Sequence, residues 1–273
     1  MTNQTIIEQS KGEPMRPISE IISLKGKKAL ITGAASGIGL ATSMRFAEVG
    51  ADLELVDIND EGLKKAKEKL SAFNVKVNVH KVDLSIKKEI DTLWEKLDQN
   101  PPDILINNAG IFPFKDFLEL DEQFLDKVLE VNLKSVFWMC QHMIKRRLKQ
   151  GGVIVNVASI EALIPFEDQL AHYTSTKAGV IALTRALAKE YGKHGFKINA
   201  ILPGGIMTPG VKKAAMKLGI KAIKEGREFK KRVPLGRLGD PDEVARMILV
   251  LASDLSSYMQ GALIVVDGGL SSA

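Results

Sequence analysis

The feature that most constrains the fold of this 273-residue chain is a regular alternation of short apolar segments with amphipathic ones. Runs rich in Ile, Leu and Val are typical of parallel strands that helices cover on both faces. Seven such segments occur, at residues 27–32, 52–57, 75–83, 103–110, 152–159, 197–204 and 262–269. Helical patterns occur at residues 40–50, 61–73, 86–99, 121–148, 170–192 and 241–254. The alternation predicts an α/β fold, with one doubly wound domain, a seven-stranded parallel sheet and helices on both faces.

Composition and termini narrow the class of protein further. A chain with 45% hydrophobic and 26% charged residues can bury a core. No apolar run approaches the roughly 18–20 residues that span a bilayer. The first residues, MTNQTIIEQSKGEP, lack the apolar middle of a secretory signal. We therefore expect a cytoplasmic protein with no membrane partner, built from an N-terminal extension (residues 1–25) and one domain (residues 26–273).

Cysteine and histidine usage does not indicate a metal or redox centre. The single cysteine, Cys140, cannot form an intramolecular disulfide, and its apolar surroundings in SVFWMC predict a small buried hydrophobe. The four histidines are scattered and form no HExxH motif. The prediction is that no metal is bound.

The net charge of +5 comes from one segment. Residues 211–232 contain nine Lys or Arg and two Glu, a net charge of +7, which leaves −2 for the rest. The overall balance therefore does not predict a nucleic-acid partner. Two interpretations of the segment stay open, a solvated helix face or a surface that attracts an anionic substrate.

A glycine-rich loop, TGAASGIG at residues 32–39, joins the first strand to the first helix. A tight turn needs glycine, and the close approach of a pyrophosphate excludes side chains. The helix that follows offers free N–H groups and the positive end of its dipole. The spacing of Gly33, Gly37 and Gly39 therefore predicts a dinucleotide site in a Rossmann-type domain.

Asp57 ends the second strand, 18 residues after Gly39. A carboxylate there can accept hydrogen bonds from the adenosine ribose and repels a 2′-phosphate. The neighbouring Ser36 and Ile58 supply no cation. We therefore expect NAD(H) rather than NADP(H), with the alternative that Asp57 merely caps the next helix. Asp83, which follows the third strand, is expected near the adenine or in a turn.

A serine, a tyrosine and a lysine are spaced for chemistry at the carboxyl edge of the sheet, where ligands bind in open α/β folds. Ser159 follows a buried strand, Tyr173 comes 14 residues later, and Lys177 lies one helical turn beyond. A free tyrosine has a pKa of about 10, and a nearby cation lowers it. The pattern predicts that Tyr173 is a general acid and base tuned by Lys177.

Six motifs in order along the chain carry a family resemblance. They are TGAASGIG, NNAG (residues 107–110), Asn132 in VNLKS, Ser159 in VASIE, YTSTK (residues 173–177) and PGG (residues 203–205). From about Lys25 to Gly269 the chain resembles the short-chain dehydrogenase/reductases, among them 3-oxoacyl-ACP reductase and glucose 1-dehydrogenase-like members. The resemblance implies an NAD(P)-dependent oxidoreductase that acts on a small-molecule alcohol or ketone.

The resemblance also assigns roles and an assembly. Tyr173 exchanges the proton, Ser159 binds the substrate oxygen, Lys177 holds the nicotinamide ribose and Asn132 supports a water chain. The implied cofactor contacts are Gly33, Ser36, Gly37, Ile38, Gly39, Asp57, Asp83, Leu84, Asn107, Ala109, Gly110, Tyr173, Lys177, Pro203, Gly204, Ile206 and Thr208. A homotetramer is expected through helices 121–148 and 170–192, the latter by Val180, Leu183, Leu187 and a small-residue face.

The substrate itself stays open between a hydroxyacyl compound and a sugar or polyol. Candidate contacts are Ile111, Phe112, Ile160, Glu161, Phe166, Gln169 and Met207. In the family the stretch after PGG forms a lid over the substrate, which here is residues 205–232. The residues expected to line it are Met207, Val211, Ala215, Met216 and Leu218. Glu161 suits a hydroxyl group, whereas the basic segment suits an anion.

Alternative functions are a nucleotide-binding regulator without catalysis, an NADP(H)-dependent 3-oxoacyl reductase and a nucleic-acid-binding protein. A Ser-His-Asp hydrolase is disfavoured because VASIE lacks the G-x-S-x-G turn. His172 is about 100° around the helix from Tyr173, so substrate contact or solvent exposure is expected.

Overall fold

A computed structural model describes residues 15–218 and 228–272. The strands are β1 (Lys28–Thr32), β2 (Asp52–Asp57), β3 (Val77–Lys81), β4 (Ile104–Asn107), β5 (Gly152–Val157), β6 (Phe196–Pro203) and β7 (Leu263–Val266). The helices are α1 (Ile18–Ile21), α2 (Gly37–Glu48), α3 (Asp60–Leu70), α4 (Lys87–Lys96), α5 (Glu122–Leu129), α6 (Ser135–Arg147), α7 (Ala171–Tyr191), α8 (Pro209–Leu218) and α9 (Pro241–Ala252).

The seven strands form one parallel sheet in the order β3-β2-β1-β4-β5-β6-β7. The predicted architecture is therefore confirmed. The strand order reverses at β1, which pairs with β2 on one side and β4 on the other. A crevice forms beyond the carboxyl ends of the strands at such a switch point, so this edge is where a ligand site is expected.

Alternate residues of the central strands supply two separate cores, one on each face of the sheet. Leu30 of β1 lies in a core with Trp94 of α4 and Val180 of α7. Its neighbour Ile31 lies in the other core with Phe46 of α2. Both faces are therefore dry, which explains why β1 shows an almost continuous apolar run.

The predicted long helix 121–148 is interrupted. One π-helical turn, Glu130–Lys134, separates α5 from α6. A π turn adds a residue to the helical repeat and is frequent at functional sites. Asn132 lies in this turn and is fully buried, so the interruption turns its side chain into the protein interior.

Helix α7 packs its larger side chains on the sheet. Val180 is fully buried and Leu183 is 7% exposed, both in the core of their own chain. Leu187 packs against the same core. These three residues therefore do not form the free face that the tetramer prediction gave them. The exposed residues of α7 include the small residues Ser175, Ala178, Ala182 and Ala186, together with Arg185, Lys189 and Glu190.

The end of the N-terminal extension packs on the domain. The Leu24 amide donates to the Val49 carbonyl at 3.0 Å, and Arg16 forms a 2.8 Å ion pair with Asp254. Residues 1–14 of the extension lie outside the described residues. Within the described part, no helix combines the length and the apolarity needed to cross a membrane.

Candidate active site

The glycine loop turns tightly into the start of α2. Gly33 and Gly37 have φ of +65° and +55°, a backbone region that favours glycine. A methyl group on Gly39 would lie 2.2 Å from the Gly33 carbonyl oxygen, so no side chain fits there. Among the described residues the Ser36 side chain makes no cap hydrogen bond to α2. The first N–H groups of the helix are thus available to an anion.

Thr32 and Asn108 brace this loop. The Asn108 amide group donates to the Thr32 carbonyl at 2.9 Å and to the Gly33 carbonyl at 3.3 Å. Thr32 Oγ1 accepts from the backbone N–H groups of Asn108 and Ala109 at 2.9 and 3.0 Å. Neither residue is among the predicted site residues, although the second Asn of the NNAG motif is a signal that points to Asn108.

Asn107 faces the opposite way. Its side chain is buried between strands, where Nδ2 donates to Asn156 Oδ1 at 2.8 Å and to Cys140 Sγ at 3.3 Å. The predicted cofactor contact at Asn107 can therefore involve its backbone only. Successive strand side chains point to opposite faces, and Asn108, just past the strand, is the one beside the glycine loop.

Asp57 lies beside the same loop. Its carboxylate accepts hydrogen bonds from the Ala35 amide at 3.0 Å and the Asn59 amide at 2.9 Å. The N-cap of α3 is Asn59, whose side chain accepts from the Gly62 amide. Asp57 is therefore not the helix cap, and its carboxylate is fixed where an adenosine ribose is expected.

Asp83 is engaged in a turn. Its carboxylate accepts from the Ser85 amide at 2.9 Å and from Lys127 Nζ at 3.3 Å. Burial raises the pKa of Asp83, but the hydrogen bonds from Ser85 and Lys127 outweigh it and the net pKa is lowered. Leu84 is buried in the core, so its predicted cofactor contact does not follow from its side chain.

Ser159, Tyr173 and Lys177 come together at the end of β5. Ser159 begins the 3₁₀ turn Ile160–Ala162, and its side chain is a hydrogen-bonding neighbour that lowers the pKa of the Tyr173 phenol. Lys177 Nζ lies 5.7 Å from the centre of the Tyr173 ring and donates to the Val157 carbonyl at 2.8 Å. Lys177 is 4% exposed and Tyr173 half-buried.

Burial governs the charge states of this pair. It raises the pKa of Tyr173 to about 12, while the hydrogen bond from Ser159 opposes that rise. It lowers the pKa of Lys177 to about 8. The expected lowering of the Tyr173 pKa by the lysine is therefore not seen in this structure, because loss of hydration disfavours both charged forms.

Asn132 connects the site to the loop after β4. Its side chain donates to the Ile111 carbonyl at 2.8 Å and accepts from the Ile111 amide at the same distance. A methyl group on Gly110 would lie 3.4 Å from both Asn132 Oδ1 and Lys177 Nζ. The structure thus brings Asn132, Gly110 and Lys177 into one cluster.

The other wall is the segment after β6. The Met207 amide donates to the Gly239 carbonyl at 2.8 Å, and Ile206 is buried. Thr208 carbon atoms would lie 3.4 Å from a methyl group on Gly37. Thr208 therefore borders the glycine loop, whereas a methyl group on Gly204 would meet Asp267 of the chain itself.

The predicted substrate contacts differ in accessibility. The Phe112 ring packs edge-on against Tyr173, with centroids 6.3 Å apart, and Met207 is 37% exposed. Ile160 is in the core and Glu161 is 1% exposed. Gln169 is exposed and has a φ of +62°, a strained conformation for a residue with a side chain.

His172 is buried rather than in contact with solvent. Its Nε2 donates to the Pro113 carbonyl at 2.7 Å, and its ring packs against Phe124. Cys140 is also buried, and burial raises the pKa of its thiol to about 12. No group of three or more His, Cys, Asp or Glu side chains within residues 15–218 and 228–272 is placed to hold a metal ion.

The structure describes only part of the basic segment, residues 211–232. Residues 219–227 and the side chains of Ala215 and Leu218 lie outside the described residues. Lys231 pairs with Glu228 at 2.8 Å. Residues 228–232 are helical and pack on the substrate side through Phe229, whose ring lies 5.6 Å from that of Phe166.

Comparison with known proteins identifies similar chains over nearly the whole length. A family model described as enoyl-(acyl carrier protein) reductase matches residues 33–271. The 3-oxoacyl-[acyl-carrier-protein] reductase FabG of Thermotoga maritima is 40% identical over 90% of this chain and 98% of its own. The L-rhamnose 1-dehydrogenase (NAD(P)(+)) of a Sphingomonas species is 36% identical over 90% and 97%.

Among solved structures, L-sorbose reductase from Gluconobacter frateurii, in complex with NADPH and L-sorbose, superimposes with a TM-score of 0.87. It is 30% identical and covers 93% of this chain and 99% of its own. The similarity therefore extends from sequence to three-dimensional structure.

Proposed function

The chain belongs to the short-chain dehydrogenase/reductase family of oxidoreductases, and from this premise we propose that it transfers a hydride between NAD(H) and a secondary alcohol or ketone. Tyr173 is the general acid and base. The observation that carries the proposal is the cluster of Ser159, Tyr173 and Lys177 at the carboxyl edge of the sheet, beside a glycine loop that excludes side chains.

A dinucleotide fits the residues present. The positive φ angles of Gly33 and Gly37 in the turn and the free N–H groups at the start of α2 suit a pyrophosphate. Asp57 suits the adenosine ribose, and Lys177, beside Gly110, suits the nicotinamide ribose. The cofactor, when bound, supplies or accepts the hydride.

The protein's own residues move the proton. In ketone reduction the Tyr173 hydroxyl donates its proton to the substrate oxygen, which the Ser159 hydroxyl also binds. In alcohol oxidation Tyr173 accepts that proton. The Lys177 ammonium stabilises the resulting phenolate, and Asn132 holds the Ile111 backbone where a water chain leads the proton to solvent.

The test of function is a mixture of protein, NAD⁺ and a panel of secondary alcohols, sugars and hydroxyacyl compounds, followed by the absorbance of NADH. Production of NADH by the protein but not by Tyr173→Phe is expected. If the protein binds NAD(H) but converts no alcohol or ketone, whether NAD(H) or NADP(H) is supplied, the result would instead support a regulatory nucleotide-binding protein.

The choice of NAD(H) rests on Asp57. Its carboxylate is fixed by two amides, and the side chains of Ser36 and Ile58 offer no cation to a 2′-phosphate. The relatives named above include one solved with NADPH and one named for either cofactor. We expect kcat/KM to be higher with NAD⁺ than with NADP⁺. The Asp57→Ala substitution should lower the ratio of the two kcat/KM values by about tenfold or more, equivalent to about 1.4 kcal/mol. A native preference for NADP⁺ contradicts the assignment.

The proposal includes the assembly and location implied by the family resemblance, a homotetramer in the cytoplasm. The substrate is a hydroxyacyl compound, a sugar or a polyol. If the basic segment attracts an anionic substrate, the KM for that substrate rises with salt concentration. The KM for a neutral substrate should not change.

A further inference from the structure

A buried glutamate lies close to both residues assigned to the substrate oxygen, Ser159 and Tyr173. Glu161 is 1% exposed and lies in the 3₁₀ turn after Ser159. Its backbone N–H donates to Ser159 Oγ at 3.2 Å. Its Oε1 accepts from Thr174 Oγ1, on the residue after Tyr173, at 3.3 Å. Glutamate is almost never fully buried unless its charge is compensated, so this position calls for a specific reason.

The same carboxylate holds the substrate-side loop, which we define as residues 163–169. The Phe166 amide donates to the two carboxylate oxygens of Glu161 at 3.3 and 3.4 Å. Arg232 donates to the Phe166 carbonyl at 3.3 Å, and its guanidinium lies 5.9 Å from the Phe166 ring. Three segments therefore meet around Glu161: the substrate-side loop, helix α7 and residues 228–232.

We propose that Glu161 is a positioning residue of the reaction, whose carboxylate ties the substrate-side loop to α7 and places a negative charge beside the Ser159–Tyr173 pair. This inference rests on the role proposed above for Tyr173. It differs from a direct contact with a substrate hydroxyl, because the carboxylate is buried and already accepts hydrogen bonds from the protein.

The charged groups around Tyr173 act in opposite directions. Glu161 raises the pKa of Tyr173, whereas the Lys177 ammonium favours the phenolate. Glu161 in turn faces Arg232 and Tyr173. Burial raises the pKa of Glu161, and the Phe166 and Thr174 hydrogen bonds and the charge of Arg232 limit that rise. Glu161 therefore adds to the effect of burial in holding the proton on Tyr173, and the Lys177 ammonium assists its release.

The ionisation of Tyr173 can be measured without any substrate. The chain has three tyrosines, so the absorbance of phenolate as a function of pH, minus that of Tyr173→Phe, isolates Tyr173. Glu161→Gln retains the side-chain shape and a hydrogen-bond acceptor but loses the charge. Its phenolate absorbance is corrected by subtracting that of the double variant Glu161→Gln/Tyr173→Phe. We expect a larger fraction of Tyr173 to be ionised at each alkaline pH in Glu161→Gln than in the native protein.

The matched control is Asp168→Asn, which removes a carboxylate from an exposed position of the same loop. We expect its Tyr173 titration to coincide with that of the native protein. Should Glu161→Gln fail to fold by circular dichroism, Glu161→Gln combined with Arg232→Gln removes both charges together and takes its place, with the same expected direction.

An unchanged Tyr173 titration in the folded Glu161 variant, or an equal change in Asp168→Asn, overturns the proposal. The two failures are distinguishable. Absence of NADH production from every alcohol overturns the proposed function, whereas the titration answers for Glu161 even when no substrate has been found.

Discussion

Tyr173 and Lys177 are both shifted toward their neutral forms in this structure. Burial is the largest cause for each, and it favours the protonated phenol and the unprotonated amine. At pH 7 the tyrosine holds its proton, and the lysine, with a pKa of about 8, is still mostly charged. The pair is therefore set to donate a proton near neutral pH, and oxidation of an alcohol needs a change that favours the phenolate.

This charge balance predicts opposite pH dependences for the two directions. Ketone reduction needs protonated Tyr173, whose pKa is raised, so its kcat/KM falls only in the alkaline range. Alcohol oxidation needs a proton acceptor, so its kcat/KM rises with pH over the same range. Steady-state kinetics in both directions across neutral and alkaline pH measure this. Profiles that rise together contradict a single group that serves as both acid and base.

Removal of the phenol hydroxyl tests Tyr173 directly. Tyr173→Phe retains the ring that packs against Phe112 but cannot transfer a proton. We expect kcat to fall about 10²- to 10⁴-fold, the usual contribution of general acid–base catalysis, with cofactor affinity nearly unchanged by fluorescence titration. Retention of native activity would assign proton transfer to another group.

At the scale of elements, the site depends on how the glycine loop meets the loop after β4. Asn108 and Thr32 hold the two together through four hydrogen bonds. Asn132, in the π turn, fixes the backbone of Ile111 in the loop after β4 through two further hydrogen bonds. The cofactor side is thus shaped by polar contacts between elements that are far apart in sequence but adjacent at the switch point.

Gly39→Ala tests this packing. Its methyl group would clash with the Gly33 carbonyl at 2.2 Å and with Asn108 Nδ2 at 2.7 Å. We expect a loss of about 1–3 kcal/mol in the free energy of unfolding, as for overpacking elsewhere, and weaker cofactor binding. Gly26→Ala is the control, because Gly26 has a positive φ that disfavours a side chain but has no atom within 4 Å of the added methyl group. It should lose stability and keep cofactor affinity.

At the scale of the whole molecule, one face of α7 is available for assembly. Its larger apolar residues pack on the sheet, and Ala178, Ala182 and Ala186 remain exposed. Small side chains allow two helices to approach closely around a two-fold axis. The predicted homotetramer therefore depends on this small-residue face rather than on Val180 and Leu183.

A charge on that face should separate the subunits. If the predicted homotetramer uses this face, Ala182→Glu gives smaller particles than the unsubstituted protein by light scattering, with unchanged circular dichroism, because two like charges would meet at the interface. Lys67→Glu, exposed on α3, is the control and should not alter the particle size. A native monomer, or a tetramer that tolerates Ala182→Glu, contradicts this interface.

The sequence by itself determined the order of elements, the parallel sheet, the glycine loop and the residue types at the site. These follow from local signals: the period of apolar residues, the positions of glycine, and the one-turn spacing of Tyr173 and Lys177. The tertiary structure alone decided that Asn108 rather than Asn107 faces the glycine loop, that Ile160 and His172 are buried, and that burial raises the Tyr173 pKa. The physical reason is that side-chain direction, hydration and charge at a position depend on which distant segments pack around it, and no local pattern encodes those neighbours.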